Sequence, residues 1–311
     1  MTNKATLNAL KVELEKTVKV AQYSLEQYLT VSQGLEDWQT CVDNFNQLRG
    51  TFSLMEHRGA ALLCEEAVQL LQHLPIDQPQ DHATEFESLT QSIVMIQKYL
   101  EFQELGQLPY PEILLPVINR VRRARKAAIL REGCFHRFDY ALPQAAGTVT
   151  TLDTATLQQL KKYRHMFQAG LLHVLRGNRT RSALNYVALR LGRVERLLAD
   201  TPQAPFWMVT AMAAEGIAAL PQDRLPGTRR YWFTQIDRQL RNILQDSEHE
   251  LTVAPSQGWI QEALYFIALT AEFVPRLQAF QQQHPAIKMT YNQQQLEDQV
   301  QLMRGPGQSV L

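Results

Sequence analysis

Two short stretches set a polar nitrogen, an arginine and a glycine at the same spacing: Asn46-Gln47-Leu48-Arg49-Gly50 and His173-Val174-Leu175-Arg176-Gly177. A histidine at the head of such a stretch, held in mid-helix with its ring exposed, can attack an aspartyl phosphate and carry the phosphoryl group on nitrogen. A basic residue one turn on steadies the phosphoryl charge, and glycine beside it lets a partner come close. Asn46 cannot do this, because an amide has no basic nitrogen to accept a phosphoryl group at neutral pH. His173 could be a live acceptor. Against that, Asn178, Arg179 and Thr180 break the apolar pattern before Leu184 resumes it, so Gly177 reads as a helix cap. A histidine at a helix carboxyl end is also explained by the dipole or by packing.

Other reactive side chains give less. Cys134, His136 and Asp139 cluster in sequence, but their spacing matches no recurring metal site, and no metal is expected. The three cysteines, Cys41, Cys64 and Cys134, form no C-x-x-C pair and read as reduced thiols. His57 reads as a turn residue. His165 lies eight residues before His173 on the same helix and could share its face, where a surface histidine is the plain reading. Arg120, Arg122, Arg123, Arg125 and Lys126 form the densest basic run, above an apolar stripe of Val117, Val121, Ala124 and Ala128. A solvated helix face explains such a run; the alternative is a dock for an acidic protein surface. The runs Gln281-Gln282-Gln283 and Gln293-Gln294-Gln295 read as helix surface or a frayed end.

Across 311 residues, 31 Lys and Arg balance 31 Asp and Glu, so no overall field draws the chain to nucleic acid or an anionic bilayer. Protein partners are expected, with no cofactor and no small-molecule substrate. The opening residues run straight into an amphipathic pattern, so no export signal is expected. The longest apolar runs, such as 113–118, fall far short of the roughly 20 residues a bilayer span needs. No membrane insertion is expected, and a cytoplasmic location is expected.

Positioning falls to helices. Leu7, Leu10, Leu14, Val18, Ala21, Leu25 and Tyr28 recur at steps of three and four, and so do Trp38, Cys41, Phe45, Leu48, Phe52 and Met55 beyond Gly34. A turn is expected at His57-Arg58-Gly59, where glycine would accept a positive φ, then a third helix over 60–74 and a loop over 75–81. A fourth helix is expected over 83–105, and a basic fifth follows Pro109, Pro111 and Pro116 and ends near Gly133. Further helices are expected over 153–176, 180–199, 205–220, 227–248, 256–283 and 290–303, with little or no sheet. The predicted architecture is all-α: an antiparallel bundle over 1–132, a linker over 133–152 that docks through Phe135, Phe138 and Tyr140, and a second helical bundle over 153–311.

Asn46 thus stands in the second helix of a bundle, where H-x-x-K-G carries its histidine in phosphotransfer domains. With Leu25-Glu26-Gln27-Tyr28, Gln47-Leu48-Arg49-Gly50-Thr51, Gly59-Ala60-Ala61-Leu62-Leu63 and Glu65-Glu66, the chain resembles the degenerate phosphotransfer domains at the front of ChpA-type chemotaxis kinases. It resembles the FimL-type pilus regulators more closely, with a looser likeness over 160–175. Those proteins are usually longer than this chain. The resemblance implies a noncatalytic scaffold promoting type IV pilus assembly, twitching motility and cyclic-AMP signalling. It implies a FimV-like polar hub or a CheY-like response regulator as partner, and a place at the cell pole through that partner.

Three readings follow: a scaffold that keeps a partner-binding face at Asn46, Arg49 and Gly50, an active phosphorelay protein using His173, and a generic helical adaptor. No internal period of about 34 to 45 residues supports the last.

Overall fold

A computed structural model describes residues 4–31, 35–74, 82–104, 108–177, 180–221 and 224–304. Gly34, the 75–81 spacer, Leu105, Asn178, Arg179 and the side chain of Leu7 lie outside the described residues. Thirteen α-helices and no strand occur among those described, so the protein is all-α. No described helix is long and apolar enough to cross a membrane. By their contacts the described residues fall into two units, those within Met1–Leu130 and Leu296–Leu311 and those within Arg131–Gln295.

In the first unit α1 (Lys4–Val31) packs along α2 (Leu35–Leu54), α2 along α3 (Arg58–His73), and α4 (Ala83–Glu104) closes on α1 and α3. The spacing of apolar residues accounts for the packing. Leu14, Val18, Ala21, Leu25 and Tyr28 are buried on α1, facing inward with Trp38, Cys41, Phe45, Leu48 and Phe52 of α2, whereas Leu10 is exposed. A 3₁₀ turn over Pro111–Leu114 leads into α5 (Leu115–Ala124), which lies on α3 and α4.

The turn after α2 differs from the sequence expectation. The positive φ falls on Glu56 (φ 60), while Gly59 lies inside α3. The His57 N–H reaches the Phe52 carbonyl at 2.8 Å and the Glu56 N–H the Ser53 carbonyl at 3.1 Å, which is a Schellman ending. Its apolar contact is made by the stacked rings of Phe52 and His57, 6.1 Å apart. Gly59 serves a different need, since a Cβ there would sit 2.9 Å from the Cα of Pro111.

The fifth helix also stops early, at Ala124. Lys126 takes φ 59, with its N–H on the Arg123 carbonyl at 2.9 Å and the Ala127 N–H on the Arg122 carbonyl at 2.8 Å. The chain then returns along buried Asn119, which donates to the Leu130 carbonyl at 3.0 Å and accepts from the Leu130 N–H at 2.7 Å. Two side-chain hydrogen bonds hold the non-helical segment where the sequence pattern would have continued the helix. Ala128, expected on the buried stripe, is exposed.

In the second unit α6 (Thr154–Leu175) pairs with α7 (Thr180–Leu197), α7 with α8 (Ala204–Ala219), and α8 with α11 (Gln257–Thr270). Asp153 caps α6 by accepting from the Thr156 N–H at 2.7 Å. α9 (Gly227–Gln245) lies on α6 and on α10 (Ser247–Thr252). α8 and α11 are buried almost all round, which is why they lack a polar face. Within this unit Phe135 and Phe138 are buried, and Gln261 brackets Phe138, accepting from its N–H at 2.8 Å and donating to its carbonyl at 3.0 Å.

Two expected helices are each divided. Asp246 takes extended backbone (φ −151) and accepts from the His249 N–H, so α9 ends and α10 begins there. Pro275 has no N–H to donate and forces Val274 out of helical geometry (φ −133, ψ 115), ending a 3₁₀ turn at Phe273 and starting α12 (Pro275–Gln283). The last helix is α13 (Gln293–Arg304).

Candidate functional site

Asn46 lies near the middle of α2, half-buried, and its side-chain amide donates to the Val42 carbonyl at 3.2 Å. The helix runs on past Gly50 to Leu54, so the stretch sits in mid-helix. Arg49 and Gly50 are exposed, and a Cβ built on Gly50 meets nothing within 4 Å. This side of the bundle therefore offers an amide, a guanidinium and bare backbone on one solvent-facing surface.

A groove of about 450 Å³ opens beside Arg49, lined by Ser53, Glu56, Arg58, Ala61, Leu62 and Glu65. Two helices supply it. Residues 49 and 53 lie one turn apart near the carboxyl end of α2, 56 lies in the turn that follows it, and 58, 61, 62 and 65 follow on α3. Sequence reasoning named Arg58 as part of a turn and Ala61, Leu62 and Glu65 as part of the resemblance, none of them as lining a site, and did not single out Ser53 or Glu56. The same steps of three and four that revealed the apolar stripes were present in these polar ones. The walls carry two cations and two carboxylates, and no thiol, imidazole or metal-ligand cluster among them. Such a groove can hold a polypeptide side chain by ion pairs.

Part of the basic run on α5 is neither solvated face nor dock. Glu66 on α3 is buried, and Arg125 grips one of its oxygens through Nε at 3.1 Å and a terminal nitrogen at 2.5 Å. Arg122 holds the other oxygen and also donates through Nε to the Ala128 carbonyl at 2.6 Å. Arg120 reaches Glu87 at 3.5 Å at the surface, while Arg123 and Lys126 stay exposed. A buried carboxylate held by two guanidinium groups pins α5 to α3.

The histidines separate clearly. His57 is buried, stacked on Phe52 and edge-on to Tyr99, with Nδ1 accepting from the Gln103 amide at 2.9 Å. Burial pushes its imidazole below the ordinary histidine range. His136 shares a 2.8 Å hydrogen bond with the Tyr291 hydroxyl and stacks on Tyr265, so it belongs to a packed aromatic cluster. His165 and His173 are exposed on α6. His173 occupies the last turn of that helix. Gly177 follows at φ +68, with its N–H on the Val174 carbonyl at 3.1 Å, and ends it. The stretch at His173 is therefore a helix terminus, unlike the mid-helix stretch at Asn46.

Cys41 and Cys64 are buried, and burial pushes the Cys41 thiol up to about 12 and the Cys64 thiol further. Among the described residues no group of three or more His, Cys, Asp or Glu could hold a metal ion. A second hollow, of about 480 Å³, lies in the second unit against Pro143, Pro202, Pro205, Phe206 and Pro255. Its lining carries no charged side chain.

Residues 153–299 match the family described as FimL scaffold protein second domain. The whole chain is 30% identical, over 317 residues, to the protein named Scaffold protein FimL of Pseudomonas aeruginosa. The chain covers 55% of that relative, about half its length. No solved structure matches.

Proposed function

The chain is FimL-like, and from that premise we propose that it is a noncatalytic interaction scaffold, with a first unit that partners recognise but that carries no phosphate. The single observation behind this reading is the state of Asn46. It lies in mid-helix, its amide tied to Val42, with exposed Arg49 and bare Gly50 beside it, and on the phosphotransfer resemblance it stands where the nucleophile would be. A docking surface of that kind persists when the reacting atom is gone, because recognition needs shape, charge and close backbone approach, and transfer alone needs the imidazole.

The partner is a CheY-like response regulator or a FimV-like polar hub, and through it the protein acts at the cell pole from the cytoplasm. The scaffold promotes type IV pilus assembly, twitching motility and cyclic-AMP signalling. Support comes from the resemblance of the first third of the chain to degenerate phosphotransfer domains and from the relative's name, Scaffold protein FimL. Arg49 and the adjoining groove suit the acidic pocket of a receiver domain, since a guanidinium fork can grip a carboxylate with two hydrogen bonds.

Calorimetric titration of Gly50→Arg against a receiver domain and against the hub's cytoplasmic region tests this. With no atom within 4 Å of a Cβ at Gly50, the variant should melt as the parent does and bind at least one partner about tenfold more weakly. Unchanged affinity for both would remove this face from consideration.

A further inference from the structure

We propose that the exposed side of the α6–α7 hairpin is a second docking surface, fitted to an acidic protein face that carries apolar residues among its carboxylates. The surface lies wholly in the second unit and does not depend on the reading of Asn46.

The chain as a whole is electrically balanced, but this hairpin is not. Between Thr154 and Leu197 there are nine Lys and Arg and a single acid, Glu195. Glu195 is already engaged by Arg276 at 2.5 Å. The neighbouring helix α9 adds four arginines and one acid, Asp237, which is taken by Arg164 in a two-pronged pair with both contacts at 2.9 Å. The only carboxylates on the three helices are thus bound to arginines of the same unit. Exposed Lys162, Arg176, Arg181, Arg193 and Arg196 have no carboxylate within ion-pair distance among the described residues. Like charges crowded on rigid helices repel one another, a cost relieved when an acidic surface covers them.

Gly170 lets the two helices pack closely side by side: a Cβ there would lie 2.8 Å from Val187 and 3.0 Å from Tyr186. Apolar side chains stand among the cations. Leu189 is 64% exposed and Leu172 45%, in positions where their spacing gives them no core to enter.

These leucines favour a protein over a nucleic acid. A phosphate backbone would cover the cations but leave the leucines without apolar contact, whereas an amphipathic acidic helix satisfies both.

The test is fluorescence anisotropy with the full chain and a labelled amphipathic helical peptide of glutamate and leucine, beside a labelled DNA duplex of equal charge. Lys162→Glu combined with Arg193→Glu should weaken peptide binding about tenfold or more, and Leu172→Gln combined with Leu189→Gln about threefold. Lys19→Glu, an exposed cation on α1 of the first unit and outside the groove beside Arg49, should leave it unchanged, so that a loss in the hairpin variants is not an effect of overall charge. Circular dichroism melts establish that each variant is folded. Peptide affinity indifferent to both double variants would overturn the proposal. Tighter binding of the duplex than of the peptide would do so as well, by assigning the face to nucleic acid.

Discussion

Arg125 and Glu66 are joined by two hydrogen bonds, 2.5 and 3.1 Å long, across 59 residues of sequence, and Arg122 closes the other side of the same carboxylate. The pairing fixes α5 on α3, and α3 supplies one wall of the groove beside Arg49. Removing one guanidinium leaves a buried carboxylate undercompensated. Arg125→Ala should therefore cost about 3 kcal/mol in urea unfolding. A double-mutant cycle with Glu66→Ala should be strongly non-additive, because once the carboxylate is gone the arginine has nothing to satisfy.

The Schellman turn after α2 places a glutamate where the backbone is left-handed. An L side chain there costs roughly 1–2 kcal/mol, part of which glycine gives back as chain entropy in the unfolded state. Glu56→Gly should stabilise the first unit by about 0.5–1 kcal/mol, read as a higher melting temperature. Because Glu56 also lines the groove, the same variant removes one of its two carboxylates, and its effect on partner binding can be read on a protein that is more stable.

His57 makes the first unit sensitive to acid. Its folded value lies below the ordinary one of 6.5 because of burial, so its contribution to stability is present above about pH 6.5 and lost as pH falls through the folded value. Urea midpoints measured from pH 7.5 to 5 should fall on acidification. His57→Phe keeps the ring against Phe52 and Tyr99 and should flatten that dependence. An equal slope in the variant would assign the acid sensitivity elsewhere.

Glu262 sets the opposite trend in the second unit. Burial pushes its carboxyl up to about 8, against the pull of Arg131 at 3.0 Å. A raised value means that the folded state holds the proton longer. The associated stability is full below about pH 4.5 and is lost as pH rises through about 8. Glu262→Gln should remove this alkaline decline, checked by the same denaturation series followed with a probe in the second unit.

Helix positions were legible where the apolar period was unbroken, as for Trp38 to Phe52, because one buried stripe determines one helix face. Helix ends were less so. Glu56 and Lys126 carry no sequence mark of a left-handed cap, since glycine and asparagine are the residues that announce one, and Gly59 drew attention to the wrong position. The break at Val274 was masked by leucines and aromatics that continue the period on both sides of Pro275. The site was legible in part. Asn46, Arg49 and Gly50 lie close in sequence, so a short motif reveals them. The other wall of the groove comes from α3, and the engagement of Arg122 and Arg125 depends on a residue more than fifty positions away, which no local pattern records.

The central claim is that the protein is recognised by its partner yet carries no phosphate. It is tested most directly by incubating the full chain, and separately His173→Ala, with a receiver domain bearing labelled aspartyl phosphate. The expected result is a complex with the receiver and no acid-labile label on either chain. Label that appears on the parent and vanishes in His173→Ala would contradict the claim and make the protein a working phosphorelay component.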